Sequence, residues 1–152
     1  MDIINNTNEI LNPNELKLII ETIKNIEIKT TGKIRVYVGK KIRGEPMSFA
    51  RNIFKQFGLN RLVDKNGVLF IITVKDKKLI VFGDDGINSK VDKTFWINVK
   101  NALITKFKNG QFFTGLMGGI NLVGEKLMEF FMRDFEDLSG VNNDDKSIFF
   151  EE

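Results

Sequence analysis

Seven consecutive residues, Val68-Leu69-Phe70-Ile71-Ile72-Thr73-Val74, contain no charge and a single hydroxyl. A run of that length, rich in β-branched and aromatic side chains, reads as a strand buried on both faces. Such a strand needs one packing layer above it and another below, so the rest of the chain has to supply two covers for a sheet. Lys75-Asp76-Lys77 turns the chain, and Lys78-Leu79-Ile80-Val81-Phe82 returns as an antiparallel partner. Upstream, Lys33 to Lys40 alternates, with Ile34, Val36 and Val38 on one side and Arg35 and Tyr37 on the other.

The covers are legible as helices. Asn12-Pro13-Asn14 is a start signal, an Asn cap followed by Pro in the first turn, and Leu16, Ile19, Ile20, Ile23 and Ile26 then recur at helical spacing until Thr30-Thr31-Gly32. Pro46 opens a second helix carrying Phe49, Ala50, Ile53, Phe54 and Phe57, and Gly58 stops it. A third helix is predicted over Asp92 to Lys108 and a fourth over Phe112 to Arg133, with Gly83-Asp84-Asp85-Gly86 left as a loop. Gly115, Gly118, Gly119 and Gly124 fall inside the fourth helix, where each costs about 1 kcal/mol against Ala unless it permits close backbone packing. Strand, helix, strand in that order makes the first two strands parallel with a right-handed crossover. The fold class that follows is α/β, a three-layer α-β-α sandwich with a small mixed sheet flanked by helices. The domain is expected over residues 12–133, preceded by a flexible arm at 1–11. Residues 134–152 are expected to be an acidic, largely disordered tail, although Ile148-Phe149-Phe150 is apolar enough to dock onto the body.

Composition narrows the chemistry further. The 152-residue chain has no Cys and no His. Disulfides, thiolate metal sites and Ser-His or Cys-His catalysis are excluded, and a bound metal has to be held by oxygen, which favours Ca²⁺ or Mg²⁺. No zinc, haem or nucleotide is expected. The net charge of +3 is uneven: seven acids against one base from Asp134 onward give −6 there and leave +9 on the body. The lysines are scattered without interleaved exposed aromatics, so no nucleic-acid partner is expected. The basic body suits an acidic protein partner, its own tail or peripheral contact with acidic lipid heads. No apolar run reaches the length of a membrane span, and the first residues lack a basic start and apolar stretch, so a cytoplasmic monomer is expected.

Topology gathers the candidate site. The start of the first strand (Thr30, Thr31), the start of the second (Asp64, Asn66) and the end of the third (Asp84, Asp85) should share one end of the sheet, with Glu27 pointing toward them from the last turn of the first helix. Crowded carboxylates and amides repel unless a cation or donors compensate them, and hard cations seek such oxygens. The plainer alternative is that Asp64 and Asp84 cap turns. Lys33 and Arg35 lie close enough in sequence to serve as an anion clamp. The opposite end should gather Lys40, Lys41 and Arg43 with Lys75, Lys77 and Lys78. Lysines there either receive an anion or protect a hairpin tip from aggregation.

The order Glu27…Thr30-Thr31-Gly32-Lys33-Ile34-Arg35-Val36, then Ala50…Phe54…Gly58, then Asn66-Gly67-Val68-Leu69, resembles the TPM domain family. So do Gly83-Asp84-Asp85-Gly86-Ile87…Phe95-Trp96 and Phe107…Gly110…Phe113…Gly115-Leu116…Gly124…Leu127, and the chain looks most like the short, soluble bacterial members. The resemblance implies divalent-cation binding, usually calcium, in loops at one sheet end, with Asp64, Asn66, Asp84 and Asp85 in the matching positions. It also implies an acid phosphatase in some members, here a metal-assisted phosphomonoesterase, with a non-catalytic adaptor as the remaining alternative. One departure stands out: Lys33 occupies the place where the family pattern reads Glu. An ammonium about 4 Å from a cation, at an effective dielectric near 20, repels it by about 4 kcal/mol.

Overall fold

A computed structural model describes residues 10–134 and 147–151. Residues 1–9 of the arm expected at 1–11, and residues 135–146 and 152 of the tail expected at 134–152, lie outside the described residues, while Leu11, assigned to the arm, is buried in the core. In chain order the elements are α1 (Pro13–Lys29), β1 (Lys33–Gly39), α2 (Pro46–Gln56), a 3-10 turn (Leu59–Arg61), β2 (Gly67–Thr73), β3 (Lys78–Gly83), α3 (Asp85–Asn88), α4 (Lys93–Lys108), α5 (Phe112–Phe130) and β4 (Ile148–Phe150).

The apolar run forms β2, and every residue of that strand is buried. Its side chains divide by parity. Val68, Phe70 and Ile72 enter a core shared with Ile19, Ile23 and Ile26 of α1, Val99 and Leu103 of α4, and Leu116, Ile120, Val123 and Leu127 of α5. Leu69 and Ile71 face the other way, onto Ala50, Ile53 and Phe54 of α2 and Leu59 of the 3-10 turn. The sandwich is therefore three layers, as the doubly buried strand requires. α1 starts on a capping box in which the Glu15 amide donates to Asn12 Oδ1 and the Asn12 amide to Glu15 Oε1.

β1 and β2 run parallel from Lys33↔Gly67 to Gly39↔Thr73, and β2 and β3 run antiparallel from Val68↔Gly83 to Thr73↔Lys78. The sheet order is β3-β2-β1-β4. Two glycines of α5 meet the expectation of close approach. A Cβ on Gly119 would lie 2.5 Å from Leu103 Cδ1, and one on Gly124 the same distance from Ile26 Cδ1.

The structure corrects three boundaries. Asp85–Asn88 is a helical turn rather than loop, because the Asp84 carboxylate accepts the Asp85 amide and caps it. α5 ends at Phe130, not Arg133, since the chain beyond is drawn off by hydrogen bonds from the Thr31 amide to Phe131 O and from the Arg133 amide to Lys29 O. The end of the tail, residues 147–151, is an ordered edge of the sheet rather than part of a disordered segment. Ile148 and Phe150 pack against the larger core, and Phe149 stacks on Tyr37 at 5.6 Å and 13°. Apolar docking, foreseen for these three residues, takes the form of a strand parallel to β1.

At the carboxyl ends of β1 and β2 the basic residues do converge: the Lys75 amide donates to Lys40 O and the Val74 amide to Gly39 O. Asp76 sits among them. It accepts the Thr73 hydroxyl and the Ile42 amide, tying the hairpin tip to the β1–α2 loop. Burial pushes the Asp76 carboxyl up, but the bonds from Thr73 and Ile42, its own amide and the nearby Lys78 outweigh that, so it lies below its ordinary value. A depressed carboxyl contributes stability above its unfolded pKa that disappears as pH falls through the folded value. Between neutral pH and the acid side of the ordinary aspartate range, wild type should thus lose more stability than Asp76→Asn. Urea unfolding as a function of pH should show a flatter acid limb for the variant.

Candidate functional site

At the amino ends of β1 and β2, three loops meet. The Thr31 hydroxyl donates to Asp64 Oδ2 (2.6 Å), and Asn66 Nδ2 donates to Thr31 Oγ1 (2.9 Å). The Asp84 amide donates to Gly67 O (3.1 Å), and the Gly86 and Ile87 amides both reach Lys65 O (2.8 and 3.3 Å). The contact is tight enough to demand glycine: a Cβ on Gly86 would stand 1.9 Å from Asp64 O and 2.6 Å from Lys65 O. Lys65 itself takes a left-handed backbone, φ 51°, to turn its carbonyl into this seam.

The topological inference from the sequence thus places Asp64, Asn66, Asp84 and Asp85 in one neighbourhood. Their environments differ. Asn66 is fully buried, Asp84 is half-buried, and Asp64 and Asp85 are exposed. Among the described residues the Asp64 and Asp84 carboxylates each keep one oxygen without a hydrogen bond. Asn66 Oδ1 is buried with no donor among the described residues. A buried carbonyl oxygen left unmatched costs about 1–3 kcal/mol, which invites a ligand or water. Among the described residues, no three Asp or Glu side chains stand close enough together to hold a metal ion by themselves. An ion here would be held by two carboxylates supplemented by neutral oxygens.

Glu27 and Arg35, which the sequence reading assigned to the ion and to an anion, are partners of each other. Arg35 Nη1 lies 2.7 Å from Glu27 Oε2, with side-chain exposures of 5% and 14%. The same carboxylate oxygen accepts the Ile34 amide, and Arg35 Nη1 also donates to Ile34 O. Burial forces this outcome, since a guanidinium out of water needs a counter-charge within reach. Lys33, the other residue assigned to an anion, is half-buried at the first position of β1 and forms no ion pair among the described residues.

Thr31 and Gly86 were not singled out as site residues, yet they hold the cluster together. A hydroxyl residue just before the first strand was visible in the sequence. What Gly86 does is decided by a backbone approach that no sequence pattern encodes.

The family model of the TPM domain matches residues 4–126. The chain belongs to the TPM domain family. A solved structure, the NMR structure of the BA42 protein from the psychrophilic bacterium Bizionia argentinensis, is similar to it over 91% of this chain and 93% of that one, with 32% identity and a TM-score of 0.79. No curated protein matches. Among the described residues of this TPM domain, no helix is long and apolar enough to cross a membrane.

Two outcomes follow. Arg35→Ala should cost about 3–5 kcal/mol by leaving a buried Glu27 carboxylate unpaired, while Arg35→Met combined with Glu27→Leu should recover most of the loss in denaturant unfolding. Gly86→Ala should cost about 1–3 kcal/mol or more, because the methyl meets backbone that cannot move aside. Full stability in either single variant would contradict the geometry above.

Proposed function

We propose that this TPM domain is a divalent-cation-binding module, with calcium as the ion and Asp64, Asn66 and Asp84 as the residues that hold it. The observation carrying the reading is the buried Asn66 Oδ1, an acceptor without a donor among the described residues, beside two partly unsatisfied carboxylates. Asp85 stands exposed at the rim, and Thr31 fixes the orientation of Asp64 and Asn66. An irregular set of carboxylate, amide and carbonyl oxygens suits Ca²⁺ better than Mg²⁺, which demands near-octahedral geometry. Two carboxylates are a low charge count, so affinity should fall in the weak range, roughly 0.1–1 mM. What such an ion supplies is cohesion: it joins the α1–β1, β2 and β3–α3 loops at one sheet edge, presenting a fixed surface to a partner.

The phosphatase in the family's name has less support in this chain. There is no His or Cys to act as base or nucleophile, and Arg35 is buried against Glu27 instead of free for a phosphoryl group. Lys33, at the first position of β1, opposes cation binding if its ammonium approaches the cluster.

The test is a thermal titration of chelator-treated protein. With a Kd near 0.1 mM, about 10 mM Ca²⁺ should add about 2.7 kcal/mol and raise the melting temperature by roughly 5–10 °C. Asp84→Asn and Asn66→Ala should each reduce the shift, and Lys33→Glu should enlarge it. An unchanged melting temperature at millimolar Ca²⁺ defeats the proposal. Turnover of a generic phosphate ester that Asp84→Ala abolishes would move the function to the phosphatase.

A further inference from the structure

The strand that completes the sheet comes from outside the domain. The family match ends at residue 126, whereas β4 is built from Ile148–Phe150. It pairs with β1 over only three positions, Val36↔Ile148, Tyr37↔Phe149 and Val38↔Phe150. Ladder bonds run from the Val36 amide to Ser147 O and from the Glu151 amide to Val38 O. Without β4, β1 would be an edge strand with unpaired main-chain groups, a ready template for an extended chain.

The contacts beyond the ladder are specific to side-chain type. Phe149 is 43% exposed, yet it stacks on Tyr37 and meets Phe57 at 5.9 Å. Ile148 and Phe150 point to the opposite face and pack on the larger core. Glu151 closes the sequence: the Lys40 amide donates to its Oε2 (2.6 Å), and Arg43 Nη2 lies 3.6 Å from its Oε1. Gly39 is what allows this, because a Cβ there would stand 2.7 Å from Glu151 Oε2. The edge thus holds an apolar, aromatic, apolar, acidic order at four successive positions.

The tether is longer than the closure requires. The chain is pinned beside the start of β1 by the Thr31 and Arg133 amides, and β4 begins next to Val36. That separation is about five strand residues, roughly 17 Å, whereas residues 134–146 reach about 40 Å when extended. So β4 can leave β1 without pulling on the domain.

We propose that the β1 edge is a peptide-docking groove that receives an extended apolar-aromatic-apolar-acidic segment of a partner protein as a parallel strand, and that Ile148–Glu151 is its resident, displaceable occupant. Binding is by strand addition, with main-chain bonds supplying affinity and the Tyr37–Phe57 and Lys40–Arg43 contacts supplying selectivity. A partner has to outcompete a tethered strand whose effective concentration is in the millimolar range. The groove is thus shut to weak ligands until the tail is drawn away.

The experiment uses the full chain and a labelled synthetic peptide matching residues 146–152, read by fluorescence anisotropy. Phe149→Asp, which unseats the resident strand, should bind the peptide at least about tenfold more tightly than wild type. Adding Gly39→Ala should abolish that binding, and a peptide with Asp in place of the central Phe should not bind. The single tyrosine gives a second readout. Burial first and Glu151 second raise the Tyr37 phenol, while Arg43 lowers it, so release of the tail should bring its ultraviolet titration down and bound peptide should restore it. Folded Phe149→Asp that binds the matching and the Asp-containing peptide alike overturns the proposal. If Phe149→Asp does not fold, Glu151→Gln provides the same comparison with a gain of a few fold, and no gain there is equally fatal. A concentration-dependent dimer formed by tail exchange would identify the occupant as a second copy and overturn the partner assignment.

Discussion

The central strand β2 is buried along its whole length on both faces, and the other elements are arranged to keep water from it. Burying an apolar side chain of this size contributes about 1.5–3 kcal/mol, and a strand can direct alternate residues into separate cores. Val68, Phe70 and Ile72 draw α1, α4 and α5 to one side, and Leu69 and Ile71 draw α2 to the other. Neither cover suffices alone. A single helix, α2, closes the smaller core with help from the 3-10 turn and Phe82, whose ring meets Phe54 at 5.0 Å.

Strand pairing then settles where polar groups go. Parallel β1 and β2 with an antiparallel β3 bring acidic and amide-bearing loops to one end of the sheet and lysines to the other. Each end resolves its electrostatics locally. At the acidic end, hydroxyl and backbone donors satisfy part of the carboxylates and leave Asn66 Oδ1 unmatched. At the basic end, Asp76 and Glu151 enter among the lysines and arginine and accept main-chain amides. Charges that would repel in isolation become anchors for loops.

Much of this was legible in the chain itself. The cap residue Asn12, the prolines at 13 and 46 and the β2 run identify elements through local physics, so their boundaries come out within a residue or two. The meeting of the loop around Asp64 to Gly67 with the one around Asp84 to Ile87 also followed, because strand order and direction suffice to place loops. The Glu27–Arg35 pair did not follow. Which carboxylate a buried arginine reaches depends on the angle of α1 over β1, and both residues looked equally available for ligands in the sequence. β4 was only half visible: its apolar residues suggested docking, but nothing local distinguishes a strand on β1 from a patch on a helix.

The sequence by itself determined the layer architecture and the chemistry open to the molecule. A two-faced apolar strand requires two covers, and a chain without Cys or His has only oxygen for a metal. Tertiary structure alone decided which charges were consumed internally, which oxygen was left without a donor, and where the far end of the chain came to rest. Those outcomes depend on distances of a few ångströms between residues up to 111 positions apart, such as Lys40 and Glu151. Hydrophobic patterning fixes which face of an element is buried, but it carries no information about register and reach at that scale.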